Sequence, residues 1–238
     1  MKKVTTNFAI TLSIVGAMTA AILYLMQNSL FTVQFFSTNY LNKTFSYQTT
    51  TLILSLIIVF VTALQTRFQS LKLLFIKNID GQVLPEPWIG ITKNNKDTWK
   101  IGGLKVAISI SVITAIAIYF QVIERGIIQS LTPSIFLLIV LFALTNSFVE
   151  EATYRHTFTS IVEYHGLSPY ISKALSALIF GGFHYFGTPG KLPGVLLAGF
   201  LGWFLAKSIH ETKGFFWAWL IHFVQDIIIM TALFLTLS

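Results

Sequence analysis

The side chains able to do chemistry gather in three short stretches of the second half of the chain. "NSFVEEATYRHTF", Asn146 to Phe158, sets two adjacent glutamates and an arginine directly after the apolar run "SIFLLIVLFALT". "FGGFHYFG" contains His184, and "WLIHFVQDIII" contains His222 and Asp226. Each lies in or beside a long apolar run. A carboxylate placed in hydrocarbon costs about 2.5–3.5 kcal/mol on insertion scales, so ionisable groups there need a partner or a purpose.

Helical spacing limits the partners. Glu150 and Glu151 are neighbours, about 100° apart around a helix, so the two are expected not to point at the same partner. Glu151 and Arg155 are four apart and can pair. Glu150 shares its face with Asn146 and Tyr154, which leaves it available for a different partner. His222 and Asp226 are also four apart, on one face of an apolar helix. They could be a structural hydrogen bond, two metal ligands, or a base with its orienting group. Gly181 and Gly182 allow a neighbouring helix to approach closely, which would turn His184 toward the bundle. The plainer reading makes Glu150, Glu151 and Arg155 the wet end of a span, with the charges snorkelling to the headgroups. Three polar clusters in the C-terminal half, and almost none in the first half outside loops, argue instead that they converge. His156, His165 and His210 read as peripheral, by face for the first and by loop position for the others.

The groups available narrow the chemistry. No serine stands beside a histidine in these clusters and the chain has no cysteine, which disfavours covalent acyl transfer. A carboxylate with histidines suits activation of water, directly or through a divalent cation. Glu150, His184, His222 and Asp226 form a credible set for zinc, less specific than the absent "HExxH". The residues leave the cofactor unknown, a divalent cation such as zinc being the one considered, and no further cofactor-binding residue is assigned. The same groups could serve as a proton relay in a transporter, and the residues alone leave that choice open.

The elements that must position them are membrane helices. Of 238 residues, 54% are hydrophobic and 11% charged, with a mean hydropathy of +0.73, whereas soluble domains carry about 25% charged residues. The lipid bilayer is therefore the expected solvent. The net charge of +7 is spread through short inter-helix segments without forming a basic face, so no nucleic-acid partner is expected. Apolar windows near 20 residues, the length that crosses about 30 Å of hydrocarbon, fall at 8–27, 46–65, 101–122, 132–152, 168–186, 192–209 and 214–236. The expectation is an all-α polytopic bundle of about seven transmembrane helices, eight if 28–45 or 66–79 is embedded. The N-terminal run resembles a signal peptide but continues to Met26, so an uncleaved first span is the simpler expectation.

Residues 66–100 are the long polar stretch. Phe68, Leu71, Leu74 and Phe75 would share a helical face near Arg67, Lys72 and Lys77, as in a short helix lying in the interface. The rest reads as turn and loop, a linker more than a docking surface. Its basic residues, with Lys2 and Lys3, place this loop and the N-terminus in the cytoplasm by the positive-inside rule. Residues 28–45, with Lys43, then lie outside, and seven spans put the C-terminus outside. No repeat or boundary divides the chain, which reads as one multi-pass domain of the cell membrane, 1–238. The sequence indicates no oligomeric state.

"EEATYR" at Glu150–Arg155, "FGGFH" at Phe180–His184 and "HFVQD" at His222–Asp226 match, in order, the patterns EExxxR, FxxxH and HxxxN/D. Over roughly 130–230 the chain thereby resembles the CAAX protease and bacteriocin-processing family, the Abi-type intramembrane proteases related to the eukaryotic prenyl-protein endopeptidases. The segment with Gly199 and Gly202 resembles that family's third helical element. The resemblance implies that Glu150 and His184 activate a water that attacks a peptide carbonyl. His222 and residue 226 would stabilise the oxyanion or complete the site, with Glu151 and Arg155, and Asn146 on the Glu150 face, in support. Relatives often carry asparagine at the position of Asp226. An ionised aspartate cannot donate to an oxyanion, so Asp226 would have to be protonated, orient His222 or bind a metal. The implied function is an intramembrane endopeptidase acting on a membrane-associated peptide or protein, in CAAX-type or bacteriocin and leader-peptide processing, with glutamate and metal mechanisms both open. The alternative is a non-enzymatic bacteriocin-immunity or transport protein using the same polar cluster.

Overall fold

The computed structural model describes residues 2–94, 96–125, 128 and 130–236; Ser238, the terminus expected outside, lies beyond them. Among the described residues the regular structure is helical, apart from two isolated β-bridges, Gln82 to Thr98 and Glu86 to Ile91. The α-helices are α1 (Lys2–Leu25), α2 (Asn39–Gln65), α3 (Trp99–Gln121), α4 (Pro133–Glu151), α5 (Thr157–Tyr164), α6 (Pro169–Phe183), α7 (Lys191–Thr212) and α8 (Phe216–Leu235). Local chemistry sets several of their starts. The Thr38 hydroxyl accepts from the Leu41 amide to begin α2, and Thr132 accepts from Ile135 before Pro133 opens α4. Pro169 opens α6 with its missing N–H at a position that needs none.

Among the described residues six helices are long and apolar enough to cross a membrane, which makes this a multi-pass membrane protein. The expected span at 168–186 differs. It forms the 15-residue α6 followed by a 3-10 turn, His184–Phe186, and a helix of that length rises about 22 Å, short of the hydrocarbon thickness. The expected span 132–152 also differs. α4 continues through a π-helical turn, Ala152–His156, into α5, giving one 32-residue helix from Pro133 to Tyr164. The charges read as its wet end lie in its middle, and Glu151 and Arg155 are each 0% exposed.

Small residues hold α6 against α7. A Cβ on Gly181 would come within 2.9 Å of the Gly199 Cα, and one on Gly202 within 2.7 Å of the Ser176 carbonyl oxygen. Gly182 faces open space instead, so only the first of the glycine pair serves close approach.

The loop between α2 and α3 is pinned rather than slack. Its amphipathic segment is a 3-10 helix, Gln69–Leu74, with Phe68, Leu71 and Phe75 exposed. Beyond it, buried Glu86 pairs with Lys173 of α6 at 2.8 Å and lies 3.6 Å from Lys207 of α7. Lys207 also pairs with Glu211 and donates to the Leu84 carbonyl. Glu211 in turn accepts from the Leu84 amide and the Trp99 indole. Three lysine and glutamate positions inside helical segments thus serve to seat this loop, which the reading of the segment as a linker did not foresee.

Candidate functional site

The π turn places two carboxylates around one imidazole. Glu150 and Glu151 are the last two residues of α4, directly before the π turn Ala152–His156, the kind of helical insertion often found at functional sites. The ring of His222, from α8, lies between them. Its Nδ1 is 2.6 Å from Glu151 Oε1, and its Nε2 is 3.3 Å from Glu150 Oε2. The expectation that neighbouring glutamates serve different partners is corrected here. Side chains about 100° apart can close on one ring from opposite edges, because an imidazole carries a nitrogen on each.

Glu151 has a second partner, as its spacing suggested. Arg155 Nη1 lies 3.2 Å from the same Oε1. The guanidinium makes no hydrogen bond to any described residue and sits over the Phe180 ring, 3.6 Å from its centroid. An ion pair and a cation–π contact therefore compensate its burial. Phe180 also packs on His184 at 4.2 Å and on His222 at 5.7 Å between ring centroids, so one aromatic ring spaces the arginine and both histidines.

Asp226 completes the second carboxylate pair. Its Oδ1 is 3.5 Å from His222 Nε2. Asn146 donates from one amide nitrogen to Glu150 Oε1 at 3.2 Å and to Asp226 Oδ2 at 3.1 Å. The Asn146 oxygen accepts from Gln48 of α2 at 3.2 Å. Hydrogen-bond accounting fixes the histidine tautomers. Nδ1 of His222 faces a carboxylate and must donate, as must Nδ1 of His184, which bonds the Phe180 carbonyl at 3.0 Å. On His184 this leaves Nε2 as a lone-pair base when the ring is neutral. On His222 it leaves Nε2 between two carboxylates, so a proton must reside on that nitrogen or on one of those acids.

Glu150, His184, His222 and Asp226 all line one cavity of about 460 Å³, within the range of about 300–1,000 Å³ usual for small-ligand sites. Asn146 and Gln48 line it too. Glu151 and Arg155 stand behind the imidazole, fully buried. Ion-pair and hydrogen-bond contacts join Glu150, His222 and Asp226, and His184 packs against the same Phe180 ring as His222. Among the described residues no group of three or more histidine or acidic side chains is arranged to hold a metal ion, so the four do not fit as a ligand set in this arrangement.

The remaining histidines lie outside the cavity. His156 contacts the Ser70 carbonyl, His165 contacts Asn7, and His210 sits between Ser172 at 2.6 Å and Glu163 at 3.0 Å. Gln48 is the site residue that sequence reasoning missed. Its only sequence signal is a glutamine close to the start of an apolar span.

No curated protein and no solved structure matches the chain. Residues 132–228, the stretch that supplies Asn146, Glu150, Glu151, Arg155, His184, His222 and Asp226, match the Rce1-like family model, described as type II CAAX prenyl endopeptidase Rce1-like.

Proposed function

We propose that the protein is an intramembrane endopeptidase that hydrolyses a peptide bond of a membrane-associated peptide or protein with a water activated by Glu150 and His184. The observation that carries this reading is the meeting of all three polar motifs on one cavity inside an apolar bundle. The family match supports protease chemistry at the level of the family.

The roles follow from donors and acceptors. Glu150 takes one proton of a water as its oxygen bonds to the peptide carbonyl carbon, and the lone-pair Nε2 of His184 orients that water by accepting a hydrogen bond from its other O–H. The carbonyl oxygen becomes an oxyanion and needs donors. His222 supplies one when its Nε2 carries a proton, and Glu151, 2.6 Å from Nδ1, holds the ring and balances its charge. Asn146 holds Glu150 and Asp226 together through one amide nitrogen. Collapse of the intermediate breaks the C–N bond, and the proton held by the base passes to the leaving amine. Arg155, 3.2 Å from Glu151 Oε1, holds that carboxyl group in place.

Purified protein in lipid nanodiscs, incubated with peptides that contain an apolar segment, should generate new termini detectable by mass spectrometry. His184→Ala should lose that product while unfolding at the wild-type temperature. Failure to cleave any peptide, with solute uptake into proteoliposomes that His184→Ala abolishes, would replace the hydrolase with a transporter.

A further inference from the structure

The cavity opens at one end of the bundle, and most of the loop cations lie at the other. Met26 to Ser29, which follow the end of α1, border the cavity. So do Lys43 near the start of α2, Thr188 and Pro189 before α7, and Leu233 near the end of α8. From that end the cavity runs inward to Glu150, midway along the 32-residue helix Pro133–Tyr164, and to His222, the seventh residue of α8.

The other end is tied together by polar contacts. The Lys3 ammonium lies over the Tyr164 ring, Asn7 donates to the Gln65 carbonyl, and Asn78 donates to the Lys213 carbonyl. These contacts gather the start of α1, the ends of α2, α5 and α7, and the loop between α2 and α3. That loop brings Arg67, Lys72, Lys77, Lys93 and Lys96 to this end, beside Lys3 and Lys213. Among the described residues the cavity end carries Lys43, Arg125 and Lys191. Short loops rich in lysine and arginine stay in the cytoplasm.

We propose that the cavity opens to the extracytoplasmic face. On the hydrolase reading above, the substrate is then a peptide lodged in or delivered to the outer leaflet, not a C-terminal motif presented from the cytoplasm. The rim fits that source. Leu30, Phe31 and Phe35 after α1, and Tyr185 and Phe186 before α7, are all exposed at the cavity end. Aromatic side chains so placed belong at a membrane interface, and they surround the opening with lipid-facing surface. Between a rim that includes Gln27, Asn28, Lys43 and Thr188 and the polar groups at its inner end, the cavity carries apolar side chains such as Leu25, Ile113, Leu197 and Ile229. An apolar peptide segment sliding in from the outer leaflet meets hydrocarbon-like walls before it meets Glu150.

The absence of cysteine from the sequence makes the test direct. Single cysteines are placed at the cavity end by Asn28→Cys and Thr188→Cys, and at the opposite end by Lys77→Cys and Lys96→Cys. A membrane-impermeant maleimide applied to intact cells should label the first two, and should reach the last two only after permeabilisation. Labelling of Lys77→Cys and Lys96→Cys in intact cells, with Asn28→Cys and Thr188→Cys protected, overturns the proposal. An apolar peptide confined outside sealed right-side-out vesicles should be cleaved, and the same peptide enclosed within them should not. Reversed labelling with hydrolysis retained sinks the sidedness alone. The expected labelling without hydrolysis of any peptide sinks the hydrolase reading and leaves the sidedness standing.

Discussion

His222 Nδ1 and Glu151 Oε1 are 2.6 Å apart in a fully buried contact between α8 and the start of the π turn. The same carboxylate oxygen meets Arg155, so one atom fixes the imidazole and neutralises the cation.

That relationship makes Glu151 a positioning residue. Glu151→Gln should lower kcat by roughly 10² with little change in KM, because the ring loses its charge balance but the cavity walls are untouched. It should also destabilise the fold by about 3–5 kcal/mol, since a buried Arg155 is left without its counter-charge. Steady-state kinetics and thermal unfolding in detergent separate the two effects. An unchanged kcat would mean that Glu151 serves Arg155 alone.

Position 226 offers a gain where a loss would be the usual expectation. Asp226→Asn replaces a carboxylate with an amide that can donate to an oxyanion and can still accept from Asn146. Activity should be retained or rise, while Asp226→Leu should lower it by at least about ten-fold. If Asp226→Asn were as inactive as Asp226→Leu, the charge itself would be essential.

Much of this site was legible in spacing. Glu151 with Arg155, and His222 with Asp226, are four apart, and helical geometry alone pairs their faces. The cost of isolated charges in hydrocarbon argued that Glu150, His184 and His222 should meet. The sharing of His222 by both glutamates was not legible, because it depends on a helix from elsewhere in the chain arriving between them beside a π turn. The length of the α4–α5 helix was missed for a related reason. Hydropathy stops at Glu150, but partners supplied by α8 let the helix carry its charges onward to Tyr164. Lys173 and Lys207 escaped notice in apolar windows because their partner, Glu86, is in a distant loop.

That loop contact carries a pH dependence. Burial alone would push the Glu86 carboxyl up, but hydrogen bonds from Lys173 and Trp88 and the charges of Lys173 and Lys207 hold it below its ordinary value of 4.5. A folded value below the unfolded one gives stability that is complete above the ordinary value and lost as pH falls through the folded value. Thermal unfolding should therefore lose stability on acidification below that range, and Glu86→Gln should flatten the loss. At neutral pH Glu86→Leu should cost about 3–5 kcal/mol, because Lys173 stays buried without its carboxylate. A neutral-pH unfolding temperature equal to wild type would show that the clamp contributes nothing.

The hydrogen-bonded arrangement of the cavity predicts indifference to chelation. Dialysis against a strong chelator should leave hydrolysis unchanged, and elemental analysis of the active protein should find metal well below one equivalent. Loss of activity that zinc restores would mean that the four side chains rearrange to bind it.

The most direct test concerns Glu150. Glu150→Gln keeps the size of the side chain and an oxygen for Asn146 but removes the base. With a cleaved peptide in hand, the variant should show kcat/KM lowered by about 10²–10⁴, with thermal unfolding close to that of the wild-type protein. Wild-type turnover in a folded Glu150→Gln protein would contradict the account at its centre, because no water would then be activated where the three motifs meet.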